Sequence, residues 1–216
     1  MSLERIQQHF RDSAALQLQA LDALSMPIAA AVDTMFGALA NGNKILACGN
    51  GASATDAQRF AAQLTARFER ERPGLPAIAL TADSAVLTAL AADGPFDDVY
   101  ARQVRALGHS GDVLLAVTAT DDSANVLAAI GEAHEREMFV IALTGNGAVS
   151  VAGGAGGANG SGPNGGNGGG KISEALADTD IHICVPSERV ARIHELHLLT
   201  IHCLCDGIDA MLLGED

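Results

Sequence analysis

The sequence predicts an α/β protein built on a five-stranded, parallel, doubly wound sheet flanked by helices, with an N-terminal helical hairpin. Three observations predict it. From Lys44 onward, short apolar runs alternate with helical stretches, the signature of strands joined by crossover helices. Hydrophobic residues make up 48% of the chain but aromatics only 3%, and tryptophan is absent, so the core is aliphatic and suited to tight helix-on-sheet packing. The length, 216 residues, fits one domain over 1–216.

At the N-terminus, Leu3, Ile6, Phe10, Ala14, Leu18 and Leu21 step by three or four. Ile28, Val32, Met35 and Leu39 do the same after Ser25-Met26-Pro27. Residues 1–41 are therefore expected to form two amphipathic helices. They precede the first strand, so their apolar stripes must be covered by the domain or by another subunit. The α/β core spans 44–212, with strands expected at 44–48, 76–80, 112–117, 139–143 and 180–185. Helices are expected at 53–68, 84–92, 96–107 and 123–137.

Residues 153–170 are nearly all Gly, Asn, Ala, Ser and Pro, a composition that buries too little apolar surface to offset the entropy of ordering, and a flexible loop is expected. Gly170-Lys171-Ile172 lacks the Ser/Thr that follows lysine in a phosphate-binding P-loop. The last helix, 189–212, carries two apolar stripes, one through Ile193, His197, Thr200, Leu204 and Ile208, the other through Leu198, Ile201, Cys205 and Leu212. A terminal helix that needs cover on two sides predicts self-association. Its tip, Leu212 and Leu213, is a candidate partner contact.

Thirteen basic against 26 acidic residues give a net charge of -13, which repels nucleic-acid backbones and anionic membranes. Local backbone dipoles still allow a small anion to bind. Cys48, Cys184, Cys203 and Cys205 have no CxxC spacing and read as reduced thiols. The N-terminal residues lack the regions of a signal peptide, and no apolar run reads as a membrane span, so a cytoplasmic location is expected.

Two strand-to-helix junctions can hold an anion. In Gly49-Asn50-Gly51-Ala52-Ser53 the glycines allow close backbone approach, the helix start presents free N–H groups, and Ser53 adds a hydroxyl as N-cap. Asn50, Gly51, Ala52 and Ser53 are the candidate ligands, and a tight turn with no ligand is the alternative. The second junction supplies Thr118, Ala119, Thr120 and Ser123 on the same sheet edge. Asp121 and Asp122 oppose a phosphate there. His194 and His197, three apart on a helix, share a face, but no further ligand is fixed by the sequence and no metal is expected.

Cys48-Gly49-Asn50-Gly51, Ala92-Asp93-Gly94, the hydroxyl-rich junction and the run from Arg192 to His202 together resemble the sugar isomerase (SIS) domain family. The likeness covers nearly the whole chain except the glycine-rich segment. It implies the SIS fold, a sugar-phosphate pocket that adds Asp93 to the two junctions, and a homotetramer. The branch indicated contains sedoheptulose 7-phosphate isomerase (phosphoheptose isomerase) and the DiaA-type proteins that associate with the replication initiator DnaA. Residues 43–46, 72–80, 100–109 and 203–206 resemble the DiaA type more closely.

In the isomerases of this branch, the resemblance implies a zinc-binding His, a catalytic Glu, a Gln and a second His. The matching positions here are Arg59, Gln63, His194 and His202. An amide cannot act as a general base near neutral pH, and a guanidinium cannot ligate zinc. The sequence therefore implies a non-catalytic adaptor without cofactor that binds DnaA and promotes its assembly at the chromosomal origin. The alternative is a phosphoheptose isomerase of lipopolysaccharide heptose synthesis, with His202 catalytic and zinc held through His194 and His202.

Overall fold

In the computed structural model, which describes residues 2–120, 122–146 and 170–214, the chain opens with one helix rather than two. Helix α1 runs unbroken over Leu3–Ala40 with Pro27 inside it, which corrects the expected hairpin to a single rod. Ser2 caps its start by accepting the Arg5 N–H at 3.4 Å. Proline offers no N–H, at a cost of about 3 kcal/mol in a helix interior, and the Ser25 hydroxyl donates to the Leu21 carbonyl at 2.5 Å in the turn before it. Leu16, Ala20, Leu24, Ala31, Val32, Met35 and Ala38 lie buried along the rod on both sides of the proline. Burying leucine and methionine side chains such as Leu24 and Met35 contributes about 1.5–3 kcal/mol each, which outweighs the proline penalty.

The remaining elements are β1 (Ile45–Gly49), α2 (Ala52–Thr65), β2 (Ala77–Ala79), α3 (Ser84–Asp93), α4 (Val99–Leu107), β3 (Val113–Val117), α5 (Ala124–Glu135), β4 (Phe139–Gly145), α6 (Lys171–Ala175), β5 (Ile181–Val185) and α7 (Val190–Leu213). A 3-10 turn, Phe96–Asp98, precedes α4, where one continuous helix was expected. The short α6 had no counterpart in the expected elements. The strands form one parallel sheet in the order β2-β1-β3-β4-β5, as the alternating pattern predicts. The segment expected to be a flexible loop, 153–170, lies outside the described residues except for Gly170.

Strands β1 and β3 are buried along their whole length, as strands covered on both faces must be. Their residues alternate between two cores. Ile45, Ala47, Val113, Leu115 and Val117 face α1, α2 and α7. Leu46, Cys48, Leu114 and Ala116 face α4 and α5. By length and mean hydropathy, α1 and α7 are each apolar enough to cross a membrane, contrary to the sequence expectation. In the fold α7 packs on α1, β4 and β5, and it buries Arg192, His197 and Asp209, the polar content of a core helix.

At its C-terminal end α2 is tied to α7 by a buried ion pair. Arg72 engages Asp209 through Nε, and its other nitrogens donate to the Leu64 carbonyl at 2.8 Å and the Gln63 carbonyl at 3.0 Å. One guanidinium thus satisfies free carbonyls at the end of α2 and anchors the following segment.

Candidate functional site

The strand order reverses at β1, which has β2 on one side and β3 on the other, and ligands of open parallel sheets bind outside such a switch point. Gly49 and Val117, the last residues of β1 and β3, are register partners, so the two predicted junctions start side by side. A Cβ on Gly49 would lie 2.7 Å from the Val117 carbonyl oxygen and 2.8 Å from that of Ser53, and glycine is the residue that fits. Gly51, not Ser53, is the N-cap of α2, at φ +58°, and no side chain caps this end. Ser53 is buried, with its N–H donating to the Asn50 carbonyl at 3.0 Å.

Asn50 is held from two sides. Its amide N–H donates to Asn125 Oδ1 at 2.7 Å, and the Asn125 amide donates back to Asn50 Oδ1 at 2.9 Å. The Tyr100 hydroxyl donates to the Gly49 carbonyl at 2.6 Å, and burial together with the nearby Cys48 pushes its pKa up to about 12, which keeps that donor protonated. Burial also raises the Cys48 thiol to about 12, so it is no nucleophile. Tyr100 and Asn125 were not singled out from the sequence, because their roles arise from contacts 51 and 75 residues away along the chain.

In the second junction the Thr118 hydroxyl donates to the Thr120 carbonyl at 2.6 Å and meets the Ser123 hydroxyl at 3.2 Å. Ser123 is the N-cap of α5 but makes no side-chain cap bond. The repulsion expected from Asp122 is offset, since its carboxylate pairs with Lys171 Nζ at 2.5 Å. That contact raises the lysine pKa, first through the hydrogen bond and then through the charge. Asp121 lies outside the described residues.

Other candidates fall elsewhere. Asp93 ends α3 with its carboxylate on Arg102 at 2.9 Å. Leu212 and Leu213 are exposed at the tip of α7. Arg59 is exposed on α2. Gln63 Oε1 faces the Cys205 thiol at 3.6 Å, and the His202 ring lies 5.4 Å from that of Phe68. The zinc set implied by the resemblance is not assembled by this chain. His194 and His202 are separated by eight residues, about 12 Å along a helix, while Arg59 brings a cation and Gln63 meets a thiol.

A different group does come together where α2 and α7 meet near the carboxyl edge of the sheet. Asp56, one turn into α2, lies with His194 and His197 so that one ligand atom from each falls within 4.8 Å of the others. His197 is fully buried and its Nε2 bonds the Thr144 carbonyl at 3.0 Å. Burial lowers its pKa to about 4, with a further lowering from His194, against raising effects of the Thr144 bond and Asp56. The sequence did contain a signal for Asp56, a carboxylate on the same face as buried Ser53, Ala57 and Phe60.

Comparison with known proteins agrees with this architecture. Residues 8–145 match the SIS domain family. The phosphoheptose isomerase of Methylibium petroleiphilum is 54% identical over 212 residues, covering 98% of this chain and 96% of that protein. That of Aromatoleum aromaticum is 55% identical over 214 residues, covering 99% and 98%. Among solved structures, phosphoheptose isomerase from Neisseria gonorrhoeae superposes with a TM-score of 0.81 at 44% identity, covering 96% of this chain and 98% of that one. The Francisella tularensis enzyme gives 0.83 at 42%, covering 97% and 98%. Relatives this similar over nearly their full length carry an enzyme's name, which overturns the expected non-catalytic, DnaA-binding adaptor. Arg59 and Gln63 replace two of the implied groups, but similarity over nearly the full length to proteins named phosphoheptose isomerase outweighs those two positions. The chain belongs to the SIS domain family.

Proposed function

We propose that this protein is a phosphoheptose isomerase, interconverting sedoheptulose 7-phosphate and its aldose isomer by moving a proton between adjacent carbons. The observation that carries this reading is the 54% identity to a named phosphoheptose isomerase over 98% of the chain. The paired turns support it. Asn50, Gly51, Ala52 and Ser53 with Thr118, Ala119, Thr120 and Ser123 would hold the phosphate at the switch point, where backbone N–H groups and hydroxyls converge. An enediol route needs one base to carry the carbon-bound proton, and a histidine suits neutral pH. His202 fills that role in this reading, and Gln63 is limited to hydrogen bonding.

His202 lies about 12 Å further along α7 than His194, away from the edge that carries the turns. A sugar held at one chain's turns would therefore meet His202 of a second copy, so the reading includes self-association as a homotetramer. Leu18, Leu21 and Met26, exposed on α1, favour such contacts, and a stable monomer in sedimentation would count against them. A cytoplasmic location goes with a phosphorylated substrate. The test is turnover of sedoheptulose 7-phosphate. The wild type should isomerise it, His202→Gln should lower kcat by about 100- to 10,000-fold, and Gln63→Glu should raise it. No turnover by the wild type, or full activity in His202→Gln, would overturn the assignment.

A further inference from the structure

We propose that Asp56, His194 and His197 form a binding site for one divalent transition-metal ion of the zinc class, held by three protein ligands with a fourth position open. The ligand set differs from the one implied by the family resemblance, with which it shares only position 194.

The first support is a set of unmet needs. Asp56 Oδ2, His194 Nδ1 and His197 Nδ1 are all buried and have no hydrogen-bond partner. Buried polar atoms without partners are uncommon and costly, and here the three residues that carry them each place a ligand atom within 4.8 Å of the other two. His194 Nδ1 stands 3.5 Å from Asp56 Oδ2, and the two imidazoles are edge-on, with centroids 5.8 Å apart. Two ligands of a tetrahedral zinc ion lie about 3.3 Å apart, from bond lengths near 2.0–2.1 Å. The Asp56–His194 spacing already matches, and no spacing in the group, all within 4.8 Å, has to close by more than about 1.5 Å.

The second support is the orientation of His197. Its only bonded nitrogen is Nε2, and a carbonyl can only accept, so Nε2 carries the proton and Nδ1 presents its lone pair to the group. A ligand histidine held in one tautomer by a backbone carbonyl is the usual supporting arrangement at metal sites. Charge and donor chemistry agree. One carboxylate and two imidazoles suit a divalent ion of the zinc class, whereas hard cations such as Ca²⁺ and Mg²⁺ prefer all-oxygen sites. Arg192, two residues before His194, has its charge matched by Glu195 at 2.5 Å. Among the described residues this is the one such group of three.

The site stands apart from the isomerase reading, and its test needs no substrate. Chelator-treated full-length protein is titrated with cobalt(II) while visible absorption is recorded, and with zinc by calorimetry. The expected result is one ion per chain with the intense absorption of low-coordinate cobalt. Asp56→Asn and His194→Gln should each weaken binding by more than about 100-fold, beyond the loss typical of a merely supporting partner. His194 is only half-buried, so that variant should keep the wild-type circular dichroism. His109→Gln, an exposed histidine beside Lys44, should bind as the wild type does. Failure of the folded wild type to bind either metal would overturn the proposal, as would binding that both ligand variants leave intact.

Discussion

The two ends of the α2–α7 seam contrast in how their polar groups are met. At the far end Arg72 spends its guanidinium on Asp209 and three carbonyls, those of Gln63, Leu64 and Pro73, and only Asp209 Oδ2 is left without a partner. Near the carboxyl edge Asp56, His194 and His197 each leave an atom unpaired, and the three residues each bring a ligand atom within 4.8 Å of the others. The same two helices thus carry a closed joint at one end and an open set of donors at the other. Where partners are present, losing one should harm stability. Where they are absent, the fold carries a desolvation cost that a bound ion would relieve.

Two substitutions probe that contrast and a third, at the first turn, gives a reference between them, all read as urea midpoints of the metal-free protein. The largest effect is expected for Asp209→Ala, which leaves Arg72 buried without its counter-charge and should cost about 3–5 kcal/mol. Next is Tyr100→Phe, which removes the donor to the Gly49 carbonyl beside the first turn and should cost about 1–3 kcal/mol. The smallest is Asp56→Asn, expected to change stability by at most about 1 kcal/mol in either direction, because no hydrogen bond to Oδ2 is lost. Equal losses in Asp209→Ala and Asp56→Asn would erase the distinction between the two ends.

The sheet and the position of the turns were legible because they follow from local patterns. Runs such as 112–117 repeat with crossover spacing, and Gly49 and Gly51 punctuate the first of them. Ser25-Met26-Pro27 misled because a proline rule is local, whereas the apolar line from Leu16 to Ala38 is buried as one stripe. Asp122 read as a repulsive charge since its partner, Lys171, is supplied from across the glycine-rich segment. Asp56 stayed hidden for a similar reason. The sequence shows one carboxylate in a buried stripe, and only the packing of α2 on α7 brings it to two histidines.

The reciprocal bonds between Asn50 and Asn125 work as a spacer bar between the two turns. Both ends of the bar are neutral amides with no titratable proton. The gap between the turns is thereby spanned by two hydrogen bonds between neutral groups, of 2.7 and 2.9 Å, instead of by attraction between charges. Salt and acidity that would loosen a charged clasp leave this one unchanged.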